Sequence, residues 1–234
     1  MTMISIILPC FNEKENILPL IQLIHHTIQS WPHEIIVIDD NSPDGTYALL
    51  NNYAADYLKV FQRTQDPSLA KSIRFGIEQS TGDYIVIMDS DFNHQPKELL
   101  VMLSNLAFFD CVTGSRFIYG GQMNTRFRHL ASWLFNLFIR LTTKKFITDN
   151  LYGYIAIRKN TLNQLNFDDI FWGFGDYCIR LMYYLQCQNA SILQVPSVLG
   201  ERLGGKGNTA FFKTFKQYFK ETIKLVLKNM RNPS

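Results

Sequence analysis

The stretch Tyr84–His94, YIVIMDSDFNH, decides the fold. Its first five residues are apolar or aromatic and mostly β-formers, so they read as a buried strand. Two aspartates follow with one serine between them, then an asparagine and a histidine. Side chains alternate along a strand, so Asp89 and Asp91 share a side if the chain stays extended. Two carboxylates on one side repel unless a cation lies between them. A hard divalent ion with oxygen ligands, Mg²⁺ or Mn²⁺, is the natural occupant, and Asn93 offers an amide oxygen one step of two further on. The alternative is a pair of solvated loop aspartates ahead of a helix starting at Pro96.

Upstream of this stretch, buried strands alternate with helical patterns. MISIIL (3–8) is an apolar run bounded by Pro9, and Ile17, Leu20, Ile21 and Ile24 recur at helical spacing within 15–30. EIIVIDD (34–40) is a second strand, closed by the turn residues NSPDG. A helix over 46–55, a strand YLKVFQ (57–62) and a helix over 69–80 lead back to the opening stretch. This order predicts an α/β domain with a mostly parallel central sheet flanked by helices. Such sheets bind ligands at the carboxyl ends of their strands, where PCFNE, DDNSPDG and DSDFNH all fall. Asp39 and Asp40 are turn or cap residues, or acceptors for a nucleobase N–H or a ribose hydroxyl. Glu13 is a helix-start charge or a ribose ligand, in a loop shaped by Pro9.

The second half has a different texture. CVTGSRF (111–117) reads as a strand and its exit loop, and FRHLASWLFNLFIRL (127–141) as a strongly apolar helix with basic residues at its ends. A helical segment over 173–187, a short strand ILQVPS, a basic glycine-rich loop ERLGGKGN and a helix over 211–231 complete the chain. Asp149 and Asp176 each sit beside aromatic and glycine residues. Asp176 is a helix-start charge or a general base, and Asp149 a turn aspartate or a contact to sugar or acceptor.

Composition narrows the classes. With 234 residues, 47% hydrophobic and 18% charged, the chain supports a sizeable core. A net charge of +3 argues against a dedicated nucleic-acid binder. Four scattered cysteines without CxxC spacing argue against zinc sites and a disulfide framework, and point to reduced thiols in the cytoplasm. The N-terminus lacks a basic n-region, and no window offers the ~20 apolar residues of a membrane span.

Taken in order, LPCFNEKENI, VIDDNSPDGT, STGDYIVIMDSDFNHQPKEL and VTGSRF resemble the dolichyl- and polyprenyl-phosphate mannosyltransferase group of the inverting family 2 glycosyltransferases. The likeness runs from about residue 4 to 118, then in patches to about 208. It implies the GT-A fold, a Rossmann-like nucleotide-diphospho-sugar transferase. It implies a nucleotide pocket lined by Pro9, Phe11, Glu13, Asp39 and Asp40, with Asp89 and Ser90 beside the donor. Asp89, Asp91 and Asn93 would hold the metal, and Arg116, Arg128 and Arg202 would grip phosphate. The chain departs from the family pattern at Ser68, where glycine is usual, and in RLGGKGN, where Gly207 and Asn208 replace Ser and Lys. Either Lys206 supplies the lysine from a shifted position, or the acceptor grip differs.

These readings predict a catalytic domain over 1–208, with a nucleotide-binding half (1–118) and an acceptor-side half (119–208), followed by a basic amphipathic helix over 209–234. The expected reaction moves a sugar from a GDP- or UDP-linked donor to a polyprenyl-phosphate lipid with inversion, with Asp91, Asp176 and Arg202 as the catalytic set. A hydroxyl acceptor in glycan synthesis, or a non-catalytic nucleotide-sugar-binding protein, are the other readings. In the last helix, Phe212, Phe215, Phe219, Ile223, Val226 and Met230 fall on one stripe, flanked by Lys213, Lys216, Lys220, Lys224 and Lys228. That pattern fits a helix lying on the cytoplasmic face of a membrane, or a helix docked on the domain. The apolar 127–141 helix offers a second membrane surface or a homodimer interface.

Overall fold

The computed structural model describes residues 2–123, 125–204 and 211–231. In chain order its elements are β1 (Ile4–Cys10), α1 (Ile17–Thr27), β2 (His33–Asp39), α2 (Thr46–Asn51), β3 (Leu58–Gln62), α3 (Leu69–Gln79), β4 (Tyr84–Ile87), α4 (Leu99–Asn105), β5 (Cys111–Ser115), α5 (Arg126–Thr143), β6 (Ile155–Arg158), α6 (Lys159–Leu162), α7 (Phe167–Ile170), α8 (Tyr177–Cys187), β7 (Ile192–Pro196) and α9 (Phe211–Arg231). The strands make one sheet in the order β3-β2-β1-β4-β6-β5-β7. Every pairing is parallel except those of β6, which runs antiparallel to β4 and β5.

The strands are apolar throughout because helices cover both faces. Ile4, Ile6 and Leu8 of β1 pack with Ile35 and Val37 of β2 against α1 and α4. Ile7, Ile36 and Ile38 point the other way, into a core shared with α3 and α8. Gly76 lets α3 settle onto that face: a Cβ there would stand 2.6 Å from both Ile7 and Ile38. A third, smaller core joins Phe135 and Ile139 of α5, Ile179 and Tyr183 of α8, and Leu225 of α9.

The sequence pattern missed β6. IAIR is four residues long, too short for periodicity to separate it from a loop. Its register explains its direction. Ile155, the first residue, pairs with Ile87 and Thr113 near the carboxyl ends of β4 and β5. The chain leaves β5 and returns at that same end, so β6 must run back down the sheet. The segment between them, α5 included, is thereby kept at the ligand-binding end.

Two other expectations change. The helix predicted over 173–187 begins only at Tyr177, and residues 172–176 form a loop with Gly173 at φ 76°. The last helix is docked on the domain, and its inward face combines part of the predicted stripe with Thr222 and Leu225; the side chains of Phe212 and Met230 lie outside the described residues. Thr222 and Leu225 are buried, while Phe215 and Phe219 meet Phe135 and Phe138 of α5 at centroid distances of 4.6 and 4.8 Å.

Away from the ligand end, Glu34 ties the sheet together. Its carboxylate accepts hydrogen bonds from Ser5 Oγ (2.6 Å), Thr81 N (2.6 Å) and Thr81 Oγ1 (2.9 Å), and pairs with Lys59 Nζ at 2.5 Å. Burial alone would raise its pKa, but these donors overcome it and bring it down to about 2. A depressed carboxyl pKa stabilises the fold above the unfolded value near 4.3 and loses that contribution as pH falls toward 2. Glu34→Gln is therefore expected to lower stability at pH 7 by on the order of 2–3 kcal/mol, and by much less at pH 2.5. Urea titrations of both proteins at the two pH values check this; an equal deficit at both would refute it.

Candidate active site

The carboxyl ends of β1, β2 and β4 open into loops that each pass through a left-handed residue: Asn12 (φ 59°), Asn41 (φ 61°) and Phe92 (φ 67°). Asparagine tolerates this conformation, whereas phenylalanine carries strain of about 1 kcal/mol or more. Phe92 stays there because its loop is pinned from several sides. The hydroxyls of Tyr152 and Tyr154 donate to the carbonyls of Asn93 (3.1 Å) and Gln95 (3.0 Å), and Gly200 N donates to Asn93 O (2.9 Å). The strand stops at Ile87, so Asp89 and Asp91 are not placed by continued extension, as the sequence reading assumed.

His94 sets the floor of this loop. Its ring is stacked on Tyr154 and edge-on to Tyr152, and burial pushes its pKa down to about 3. Nδ1 accepts the Asp89 N–H at 2.8 Å, which leaves the proton on Nε2, 3.5 Å from the Asp89 carboxylate. Asp89 is recessed in the cleft with 42% of its side chain still open, and burial raises it to about 6. Asp91 is raised by burial and then by the charge of Asp89. Glu13 is raised by burial as well, although Arg202 opposes the shift.

Arg202 is the cation among these acids. It donates through Nη1 to Asp91 (2.6 Å) and through Nη2 to both oxygens of Glu13 (2.7 Å). Asn16 fixes the backbone beside it, its Oδ1 accepting from Leu203 N (2.9 Å) and Gly204 N (3.3 Å). Arg116, itself paired with Asp149, also acts on Asp89, so four carboxylates share two guanidiniums, and the excess of two negative charges suits a divalent cation. Among the described residues no group of three His, Cys, Asp or Glu converges as a closed metal site. Asp89 and Asp91 offer only oxygen donors, the ligand chemistry Mg²⁺ or Mn²⁺ takes when substrate phosphates and water complete the shell. The Asn93 amide nitrogen donates to Asp91 Oδ2 (2.8 Å) and its backbone N to Oδ1 (3.0 Å), so Asn93 also orients that carboxylate.

Beside this site, Pro9, Phe11, Asp40, Ser68 and Phe174 line a cleft of ≈ 320 Å³. Asp40 is held by Arg63 Nη1 at 2.8 Å and by Ser68 N at 2.6 Å. Burial raises its pKa, and those two donors restrain the rise. Asp39 is fully buried and its carboxylate is engaged by the hydroxyl and backbone N of Ser42. Ser90 is buried, its hydroxyl donating to Pro9 O at 2.8 Å.

A second cleft, of ≈ 230 Å³, has Arg116 and Arg128 among the apolar walls of Phe135, Leu151, Phe215 and Tyr218. Arg116 is gripped bidentately by Asp149 at 2.7 and 2.9 Å and lies 4.6 Å over the Tyr152 ring. Arg128, in the first turn of α5, is exposed. Asp176 is fully buried and paired with Arg180 at 2.5 Å; its Oδ1 accepts from Phe174 N (2.9 Å) and Gln217 Nε2 (3.3 Å). Lys206 lies outside the described residues.

This fold and loop set define a GT-A nucleotide-diphospho-sugar transferase architecture. The chain matches the family described as Glycosyl transferase family 2 over residues 5–165, and belongs to it. It is 30% identical over 220 residues to a dolichol-phosphate mannosyltransferase of Pyrococcus furiosus, a match covering 89% of this chain and 60% of that protein. It is also 30% identical over 205 residues to an undecaprenyl-phosphate mannosyltransferase of Micrococcus luteus, covering 84% and 83%. The same identity holds over 208 residues of a polyprenol monophosphomannose synthase of Mycolicibacterium smegmatis, covering 84% and 77%. Among solved structures, glucosyl-3-phosphoglycerate synthase from Mycobacterium tuberculosis, in complex with Mn²⁺, UDP and phosphoglyceric acid, superposes with a TM-score of 0.73 at 21% identity, covering 96% of this chain and 78% of that one.

Several site residues escaped the sequence reading. Arg63 follows β3 directly and lies next to Asp40 because β2 and β3 pair in parallel; that adjacency was the available signal. Phe174, His94, Tyr152 and Tyr154 carried no signal beyond lying near acidic motifs. Replacing Asp91 with Asn is expected to remove the Mn²⁺-dependent part of GDP or UDP binding without lowering the melting temperature by more than a few degrees, since Arg202 keeps Glu13. Calorimetric titration of nucleotide with and without Mn²⁺ decides it: undiminished metal dependence in Asp91→Asn would place the ion elsewhere.

Proposed function

We propose that this protein transfers a sugar from a nucleotide-diphosphate donor to a polyprenyl phosphate, with inversion. The observation that carries the reading is the second cleft: two arginines set into apolar walls, next to the acidic cluster. A phosphate on a long hydrocarbon tail matches that combination, with guanidinium forks for the head group and aromatic surface for the first isoprene units. The relatives named for dolichol, undecaprenyl and polyprenol phosphates support the same class. The chain spans 60% of the Pyrococcus relative's length, so the assignment rests on the site as much as on likeness.

In the reaction, an acceptor phosphate oxygen attacks the anomeric carbon while the bond from that carbon to the donor diphosphate breaks, the electron pair leaving with the diphosphate. A phosphate monoester is already largely ionised near neutral pH, so no proton has to be removed. Asp176 is consistent with this. Locked to Arg180 and to the Phe174 N–H, it is poorly placed to serve as a general base, which disfavours a hydroxyl acceptor. Asp40 and the rings of Phe11 and Phe174 would receive the nucleoside, and Glu13, Asp91 and Arg202 would lie along the diphosphate. A divalent ion at Asp89 and Asp91, when bound, supplies Lewis-acid stabilisation of charge on the departing diphosphate. Arg116, held by Asp149, and Arg128 would take the acceptor phosphate.

The acceptor lives in a bilayer, and α5 carries surface to meet it. Phe127, Leu130, Leu134 and Leu141 recur on one face at helical spacing and are 72, 56, 51 and 71% exposed. Arg126, Arg128, Arg140 and Lys144 flank them, the pairing of apolar and cationic groups found on interfacial helices. Among the described residues no helix is long and apolar enough to cross a membrane.

With GDP- and UDP-sugars in a panel, transfer is expected to polyprenyl phosphate and not to the corresponding alcohol. Arg128→Ala should raise the acceptor KM on the order of 10–100-fold while leaving nucleotide affinity unchanged, the loss of one charge-assisted contact. Efficient use of the alcohol would overturn the phosphate reading. Separately, Phe127→Glu/Leu130→Glu is expected to abolish co-sedimentation with anionic vesicles, and unaltered binding would assign the α5 face to another role, such as a homodimer contact.

A further inference from the structure

The loop Trp172–Asp176 lies between the nucleotide cleft, which Phe174 lines, and Tyr218 of α9, which walls the second cleft. On one side Phe174 lines the nucleotide pocket. Ser68, where the family usually has glycine, donates its hydroxyl to Gly173 O at 2.6 Å, and its backbone N donates to Asp40 at 2.6 Å. On the other side the loop meets α9. Gln217 donates to Asp176 at 3.3 Å, and Asp176 in turn accepts the Phe174 N–H at 2.9 Å. Tyr218 presses directly on the loop backbone: a Cβ added at Gly175 would lie 2.1 Å from its hydroxyl oxygen and 3.3 Å from Cζ. Arg180 braces the loop from beneath, donating to Trp172 O and lying 3.8 Å from the centre of the Trp172 ring.

We infer that Gln217 and Tyr218 are positioning residues for the donor pocket: by docking on Asp176 and Gly175, α9 holds the Trp172–Asp176 loop so that Phe174 closes on the nucleotide. The inference rests on the reading of the first cleft as the nucleotide site. It extends that reading, because the helix beside the lipid-facing surface then sets donor affinity. Release of α9 from α5 would slacken the loop, and Phe174 and the Ser68–Asp40 contact with it. Donor binding is strongest, on this account, when the helix is seated.

The 2.1 Å approach supplies a test by suppression. Gly175→Ala forces the tyrosine hydroxyl out of place, and its cost should appear as weaker binding of GDP or UDP with Mn²⁺, on the order of tenfold for an overpacked contact. Adding Tyr218→Phe removes the clashing oxygen and leaves Cζ at 3.3 Å, a tight contact that a small shift of the ring relieves, so the double variant should recover most of the lost affinity. Calorimetry on the full chain reads both. Hydrogen exchange of the ligand-free chain supplies a second readout: Gln217→Ala should speed exchange at the Phe174 and Ser68 amides as well as in α9. Loss of affinity in Gly175→Ala that Tyr218→Phe does not restore, or faster exchange confined to α9, would overturn the coupling. If neither nucleotide binds the wild-type chain, the reading of the first cleft fails, and the exchange pattern alone still decides whether the helix holds the loop.

Discussion

Glu13 and Asp91 share the guanidinium of Arg202, while Asp89 feels Arg202 and an Arg116 already committed to Asp149, and the site depends on that imbalance. Carboxylates are crowded at the ends of β1 and β4 only because both strands deliver their loops to the same edge of a parallel sheet. Burial makes each charge costly, and the two arginines do not neutralise the four acids. The cluster is left with net negative charge, and Arg202 orients two of its acids. The segment from β7 that carries Arg202 is stitched down along its length. Ser197 and Val198 donate to Glu98, Leu199 N to Gln122 O, Gly200 N to Asn93 O, and Leu203 N to Asn16.

The scaffold around these acids is aromatic and rigid. Tyr152 and Tyr154 precede β6, and their hydroxyls hold the Asn93 and Gln95 carbonyls while their rings enclose His94. An antiparallel strand inserted between β4 and β5 is what brings that tyrosine pair beneath the acidic loop. The same excursion from β5 carries Asp149 back to Arg116, and a buried bidentate pair of this kind fixes the direction of the guanidinium more firmly than a solvated one would.

A smaller core forms where α5, α8 and α9 meet. Its helices bury one face and leave another exposed, so the domain presents a mixed apolar and cationic surface next to the second cleft. The placement is economical: the helices that would touch lipid also supply Phe135, Phe215 and Tyr218 to the cleft wall.

Much of the architecture was legible in the residues. Apolar runs of five to seven residues interleaved with 3.6-periodic segments can bury themselves only as a parallel sheet between helical layers, and ligand loops then fall at the carboxyl ends. DSDFNH, PCFNE and DDNSPDG were recognisable for that reason. Local pattern could not reveal β6, since four residues between two loops carry no period, nor the loop at 172–176, whose glycines are needed for Tyr218 and Asp176 rather than for helix geometry. It could not show that Asp39 is engaged by Ser42 while Asp40 faces the cleft, or that Asp176 is committed to Arg180. Above all, Arg202 meets Asp91 across 111 positions of chain. Strand order and the path of the segment after β7 decide such a contact, because long-range charge pairing depends on where the backbone returns, and short-range sequence holds no record of that return.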